Sequence, residues 1–442
     1  MNVTQILTDL AHDVHWQRST LTPPEKADVM HAVCLYPELK KQTLHGFGGA
    51  FTEAAGYNWL KLDADRREAF AAACYGPTGL DYTLGRTHMG SCDFGLGNYA
   101  AVQDAADTGF AMDHDETYIM PLLRAAQAVA GDPIGLLLSP WSPPAFMKSN
   151  GEMNHGGTLL PQYRAAWAEL VAGYVSRYRA AGFDVRQVSI QNEPEAVQTW
   201  DSCIWTAEEE GAFAAEFLRP ALDKAGMNDV KILIWDHNKE SLLRRAAGSF
   251  AKPEWRDAID GIAFHWYTGD HFDAVGLAGE LWPEKELCFT EGCVEYSRFA
   301  ESGEVRKAEM YAHDMMGNLN AGTVEIIDWN LLLDEAGGPN HVGNFCAAPL
   351  MLDGAGGFAR QGTYWYIGQF SRYLRPGAVR IATSRWCAEL EVTAFENTDG
   401  SIAAVLLNRS ETAQPASILL GDQAPAALEV PAHSIITLLL EQ

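Results

Sequence analysis

The sequence predicts an α/β protein: a (β/α)8 TIM barrel joined to a small β-sandwich domain. Three observations carry that prediction. Eight short apolar runs alternate with Ala/Leu/Glu-rich stretches between residue 42 and about residue 374, each run ends in polar or aromatic residues, and past residue 376 the pattern changes to period-two alternation without helices. Alternating strand and helix argues for a parallel sheet with crossover helices, and eight repeats argue for closure.

In chain order, residues 1–41 form an N-terminal segment, with "HAVCLYPELKK" expected to lend one strand to the β-sandwich. The barrel is assigned to residues 42–375. Its strands are read in "QTLHGFGGAF", "DYTLGRTHMG", "IGLLLSPWS", "VRQVSIQNEP", "VKILIWDHN", "IDGIAFHWY", "ELCFTEGC" and "TVEIIDWNLLL". Helices are expected between them at 61–74, 115–130, 161–181, 207–225 and 303–319. An open doubly wound sheet is the competing architecture. It is disfavoured because "HGFGGAF" is not followed by an acidic residue closing a second strand about 20 residues on. Residues 376–442 complete the β-sandwich, and "NTDG" between two apolar runs marks a hairpin there.

Composition narrows the function. With 32 basic and 58 acidic residues the formal charge is −26, which repels nucleic-acid phosphates and anionic membrane surfaces and leaves neutral or cationic ligands. The N-terminal stretch has no basic segment followed by an apolar core, and no apolar run reaches the ~18 residues of a membrane span. A cytoplasmic protein without integral membrane association is expected. The eight cysteines include no CxxC pair, so neither a zinc site nor a disulfide framework is suggested.

Barrel chemistry collects at the C-terminal ends of the strands. Those ends hold Arg86, Asp93, Trp141, Asn192, Glu193, Asp236 to Asn238, His265 to Tyr267, Glu291, and Asp328 to Asn330. Aromatic faces suit the C–H face of a sugar ring, and amides and carboxylates suit its hydroxyls. Two glutamates stand out, Glu193 on the fourth strand and Glu291 on the seventh. Retaining glycoside hydrolysis needs two carboxyls ~5–5.5 Å apart, and opposite walls of one barrel mouth can supply them. Strict alternation places Ser189, Gln191 and Glu193 on the lumen face, while Glu195, beyond Pro194, belongs to the loop and is unpinned. Either glutamate alone would read as a salt bridge or a loop cap. As a pair among aromatics they read as an acid and a nucleophile.

These residues resemble glycoside hydrolase family 30, in its glucosylceramidase-like and β-1,6-glucanase-like members. The likeness runs through "GFGGAFTEAA", "SCDF", "SPWSPPAFMKSNG", "QNEP", "HWY", "FTEGC" and "DWNLLLDEAGGPNHVGNF" in the family's order. It implies a retaining β-glycosidase with Glu193 as acid/base and Glu291 as nucleophile. It further implies Asn192 on the sugar 2-hydroxyl, Tyr267 on the nucleophile and Arg86 beside the catalytic centre. Asp93 and Trp141 fall on the far edge of the sugar, Trp329 on a ring-stacking position and Asn344 on the pocket rim. The loop "EAVQTWDSCIW" departs from the glucosylceramidases: it is shorter and lacks their tyrosine-bearing insert, which leaves Trp200 or Trp205 to line a different leaving group.

The expected substrate is a small β-glycoside, with exo-acting β-glucosidase chemistry first. β-1,6-glucanase, β-xylosidase and β-fucosidase activities are the alternatives within the family. No cofactor or metal is expected: His265, His271, Asp236 and His237 could be imagined around zinc, but no HExxH-like spacing supports it. A non-catalytic sugar-binding barrel is the remaining alternative, and the presence of both carboxylates weighs against it.

Overall fold

The structure, a computed structural model, describes residues 2–24, 29–106 and 109–441. Of the expected terminal segments, residues 1, 25–28 and 442 lie outside the described residues. In chain order the strands are β1 (Asn2–Asp9), β2 (Val14–Leu21), β3 (Ala32–Thr43), β4 (Gly46–Ala50), β5 (Leu84–Met89), β6 (Gly135–Pro140), β7 (Asp184–Ser189), β8 (Lys231–Asn238), β9 (Gly261–His265), β10 (Glu286–Glu291), β11 (Glu325–Asn330), β12 (Leu350–Leu352), β13 (Phe358–Arg360), β14 (Val379–Arg385), β15 (Leu390–Glu396), β16 (Ile402–Asn408), β17 (Gln414–Leu420), β18 (Gln423–Val430) and β19 (Ser434–Glu441).

β4 to β11 pair in parallel and close into a barrel, β11 returning to β4. Each of the eight expected runs holds one of these strands. β6 and β11 are buried at every position, as strands covered on both faces must be. Leu84, Leu137, Leu233, Ala263, Cys288 and Ile327 come from six different strands and still cluster, so they meet on the barrel axis. The expected helices at 161–181 and 303–319 appear as Arg164–Ala180 and Glu304–Ala321. The stretch expected at 207–225 is interrupted. A helix over Ala207–Phe213, closed by a Thr206–Glu209 capping box, passes through a π-turn at Ala214–Leu218 into Arg219–Lys224. A second π-turn at Asp115–Ile119 likewise comes just before a proline. Pro121 and Pro220 have no N–H to return to the preceding turn, and the helix widens there.

The remaining large sheet has nine strands in the order β18-β17-β3-β14-β15-β16-β19-β1-β2. It folds over its own apolar core of Val3, Val33, Ile381, Leu406, Ile418 and Leu438 among others, which makes it the β-sandwich. The turn after β15 is the expected "NTDG" hairpin, with Gly400 in the left-handed region at φ 84°. One strand was expected from the N-terminal segment, and three form. β1 lies between β19 and β2, and the β1–β2 connection turns on Asp13 at φ 56°, a left-handed aspartate with no glycine or proline to mark it. No helix among the described residues is long and apolar enough to cross a membrane.

At the barrel end opposite the strand C-termini, His45 lies 3.6 Å from both Glu325 and Glu286. Its bond with Glu325 raises its pKa above the ordinary 6.5, against the opposing effect of burial. The stabilisation is therefore complete below the ordinary value and is lost as pH rises through the raised one. His45→Gln should lower Tm at pH 6 and leave it nearly unchanged at pH 9, and an equal deficit at both would rule out the charged pair.

Candidate active site

The strand C-termini converge on one buried cation. Arg86, on β5, is fully buried, and its guanidinium is bonded in three directions. Nη1 donates to Glu291 Oε2 at 2.5 Å, Nη2 donates to Asn192 Oδ1 and to Asp236 Oδ2 at 2.8 Å each, and Nε donates to Ser139 Oγ at 3.2 Å. Trp141 and Trp329 stack on one another, 5.3 Å between centroids and 18° between planes, and the guanidinium lies 4.8 and 5.5 Å from their rings. A planar cation with five donors suits a site with several acceptors and two aromatic faces.

Glu193 reaches the mouth by another route than strand alternation. β7 ends at Ser189, the Asn192 amide donates to Pro140 O at 2.8 Å, and Glu193 sits at φ 49°, its amide donating to Asp236 O at 3.0 Å. A left-handed turn, not the parity of the strand, aims the carboxyl inward. Trp235 and Asp236 are also left-handed, at φ 72° and 46°, where the β8–β9 register slips, and the slip turns Asp236 into the lumen. Each such residue costs ~1–3 kcal/mol and persists because its surroundings over-determine it.

Asp236 and His265, read in the sequence as strand-end residues and weighed as metal ligands but given no role in the sugar site, form the second hub. Asp236 Oδ1 accepts from Thr290 Oγ1 at 2.6 Å and lies 3.0 Å from His265 Nε2, and Oδ2 accepts from Ser139 Oγ at 3.0 Å. His265 Nδ1 lies 3.3 Å from Glu193 Oε1. Burial pushes the Asp236 carboxyl up, but Arg86, His265 and Thr290 hold it well below the usual carboxylate range. Burial pushes the His265 imidazole down, but Glu291, Asp236 and Glu193 bring it up to about 9, so it is charged at neutral pH.

Single atoms of Glu193, His265 and Glu291 all lie within 4.8 Å of one another, so the three titrate as one unit. Burial raises both carboxyls. At Glu193 the charges of His237 and His265 reverse the effect and hold it low; at Glu291 a net rise survives His265 and Arg86 because Glu193 adds to it. Both oxygens of Glu291 nonetheless face donors, Arg86 on Oε2 and Tyr267 Oη on Oε1 at 2.9 Å.

Asp93 lies across the pocket, where its Oδ2 accepts from Asn340 Nδ2 at 3.0 Å and Asn344 Nδ2 at 3.1 Å. Burial raises its carboxyl to about 7, the two amides opposing. The structure thus gathers every expected site residue around one cleft of about 750 Å³: Glu193, Glu291, Asp93, Trp141, Asn192, Tyr267, Trp329 and Asn344 line it, and Arg86 lies beneath. Trp200 lines it too, but Trp205 is buried against Phe213 at 5.0 Å and belongs to the core. Glu195 turns away and, contrary to expectation, is held, accepting from Arg244 Nη2 at 2.7 Å and Arg245 Nη1 at 3.5 Å. His271 sits apart on the surface with Nε2 3.3 Å from Thr268 O, so the imagined zinc set does not assemble. Ser139, Thr290 and Asn340 escaped the sequence reading, since nothing local distinguishes them; Asp236 and His265 were found as polar residues ending strands, but not their bonding to one another and to Glu193.

Residues 44–374 match the glycosyl hydrolase family 30 TIM-barrel domain and residues 377–438 the family's beta sandwich domain. The chain is 31% identical over 425 residues to lysosomal acid glucosylceramidase of Mus musculus, covering 92% of this chain and 82% of that one. It is 25% identical over 419 residues to an endo-1,6-beta-D-glucanase of Neurospora crassa, covering 89% and 84%. Among solved structures it is similar to SrfJ from Salmonella typhimurium, 39% identical with TM-score 0.96 over 100% of both chains. It is also similar to the endo-beta1,6-glucanase BT3312, 27% identical with TM-score 0.90 over 100% of this chain and 99% of that one.

Breaking a buried ion pair by removing one partner costs about 3–5 kcal/mol. Arg86→Met strands Asp236 and Glu291, so urea unfolding at pH 7 should show a loss of that order. A loss under ~1 kcal/mol would mean that the network relaxes around the missing cation.

Proposed function

We propose that this chain, which belongs to glycosyl hydrolase family 30, is a retaining, exo-acting β-glucosidase. The observation that carries the reading is the proximity of Glu193 and Glu291, a pair of oxygens within 4.8 Å. Retaining enzymes hold their carboxyls ~5–5.5 Å apart and inverting enzymes ~6.5–9.5 Å, the larger gap leaving room for water.

In this reading Glu291 is the nucleophile. Arg86 and Tyr267 donate to its two oxygens and favour the carboxylate against the upward push of burial. It attacks the anomeric carbon while Glu193 protonates the departing oxygen, and the sugar becomes an ester of Glu291. Glu193 then takes a proton from water, which displaces the ester and restores the β configuration. Glu193 is held low in the free protein, so the proton it delivers is stored on His265 Nδ1, 3.3 Å away, and crosses when a bound sugar excludes water from the carboxyl.

Asn192, fixed by Arg86, bonds the 2-hydroxyl. Asp93, with Asn344 beside it, and Trp141 bind the far hydroxyls, and Trp329 supplies an aromatic wall. A second reading, cleavage of β-1,6-linked glucan, is favoured by the polar side chains of Gln198, Asn238 and Glu295 that line the cleft together with Trp200, and by the likeness to the endo-beta1,6-glucanase. Nitrophenyl β-glycosides assayed beside a β-1,6-linked disaccharide decide between the two.

Proton NMR of the first sugar released from a β-glucoside should show the β anomer, and an α anomer would exclude retention. Glu193→Ala should keep turnover on good leaving groups and regain rate with azide, whereas Glu195→Ala, bonded outward to arginine, should change little. The Glu193–His265 unit keeps its proton up to about 9, so His265→Asn should move the alkaline limb of kcat to lower pH. An unmoved limb would dismiss the storage role.

A further inference from the structure

Behind the sugar pocket lies a second polar cluster that the mechanism does not use, centred on Glu53. This residue opens the helix Glu53–Leu60 after β4, and its side chain is fully buried. Its Oε2 accepts from the Leu96 amide at 2.8 Å, and its Oε1 lies 2.5 Å from Nδ1 of the partly exposed His114. Its own amide donates to His88 Nε2 at 3.0 Å, and the next amide, of Ala54, donates to Phe94 O at 3.0 Å. The His114 ring stacks on Tyr99, 3.8 Å between centroids and 5° between planes. Gly95 lies so close over the carboxylate that a Cβ there would sit 2.5 Å from Oε2.

Two of these bonds, from the Leu96 amide to the Glu53 carboxylate and from the Ala54 amide to the Phe94 carbonyl, hold the loop from Ser91 to Gly97 directly, and His114 and His88 hold Glu53 in turn. That loop carries Asp93, and Phe94 beside it packs edge-on against Trp329 at 5.9 Å. A buried carboxylate facing a loop amide and an imidazole costs desolvation that an apolar residue would not. A helix that needed only a favourable charge in its first turn could have it exposed. The arrangement makes sense as a clamp on the loop.

We propose that Glu53 is a positioning residue that fixes the Ser91–Gly97 loop and thereby sets Asp93 at the far edge of the sugar pocket. The proposal rests on the β-glucosidase reading of that pocket. Glu53 touches no substrate; its effect passes through Leu96 and Phe94 to Asp93, so it governs how tightly the sugar is held rather than the carboxyl chemistry some way off.

The experiment compares Glu53→Ala, Glu53→Gln, Asp93→Ala and the Glu53→Ala/Asp93→Ala pair, measuring kcat and KM on nitrophenyl β-glucoside and calorimetric Kd for a glucose-configured iminosugar. A hydrogen bond to a charged group contributes ~1.5–3 kcal/mol, so Glu53→Ala should raise KM and Kd about tenfold or more with kcat within a factor of about three. Glu53→Gln keeps an acceptor for Leu96 and should restore most of the affinity. In the Asp93→Ala background Glu53→Ala should add almost nothing. A full additive effect there, or a fall in kcat with KM and Kd unchanged, overturns the proposal. If Glu53→Ala does not fold, His114→Ala releases the other end of the clamp and is read the same way, with the Asp93→Ala pair again deciding. Failure of the β-glucosidase reading would show as absence of turnover by the unaltered protein, whereas failure of the clamp shows as turnover and iminosugar binding that ignore Glu53.

Discussion

Arg86 carries a full charge with no access to solvent, and a charge so placed is tolerable only if its surroundings replace the water it has lost. Glu291, Asp236, Asn192 and Ser139 do so. Because each comes from a different strand end, the demand of one guanidinium fixes the relative positions of β5, β6, β8 and β10 at the mouth, together with the turn after β7. The barrel in turn gives the cation a site in which few alternative partners are within reach. Positioning of the two glutamates follows from this mutual constraint: Glu291 is tied to Arg86 directly, and Glu193 through His265 and Asp236.

The same network explains the local departures from regular structure. Left-handed backbone at Glu193, Trp235 and Asp236 clusters where carboxyls must turn inward, and nowhere on β4, β5 or β6 is a residue other than glycine so placed. The charge pattern is equally uneven. A chain with net charge −26 keeps Arg86 and His265 as cations among Asp236, Glu193 and Glu291, so the site sets its own electrostatics independently of the acidic surface. Surface charge is screened within roughly 10 Å in ordinary salt, while buried pairs are screened much less.

Much of this was legible in the sequence. The eight barrel strands could be read because parallel strands buried on both faces are near-continuous apolar runs, and the candidate residues that share the cleft because barrel chemistry gathers where those runs end. The motif likeness assigned roles that spacing alone does not, to Tyr267 and Asn344 for instance. What the sequence concealed was set by tertiary context. The inward aim of Glu193 depends on a φ of 49° that no residue preference signals. Ser139, Thr290 and Asn340 are ordinary polar residues until Asp236 and Asp93 are placed beside them. The extra N-terminal strands follow from the pairing of β1 with β19, more than 400 residues away in the chain, and of β2 with β1.

The proposed retaining mechanism requires Glu291 to become covalently bound to the sugar. A β-glucoside bearing fluorine at carbon 2 and a good leaving group should accumulate the glycosyl-enzyme, because loss of the 2-hydroxyl contact slows its hydrolysis. Intact mass should rise by one fluorosugar, and peptide mapping should place it on Glu291. A label on Glu193 or Glu195, or turnover without any covalent adduct, would contradict the assignment.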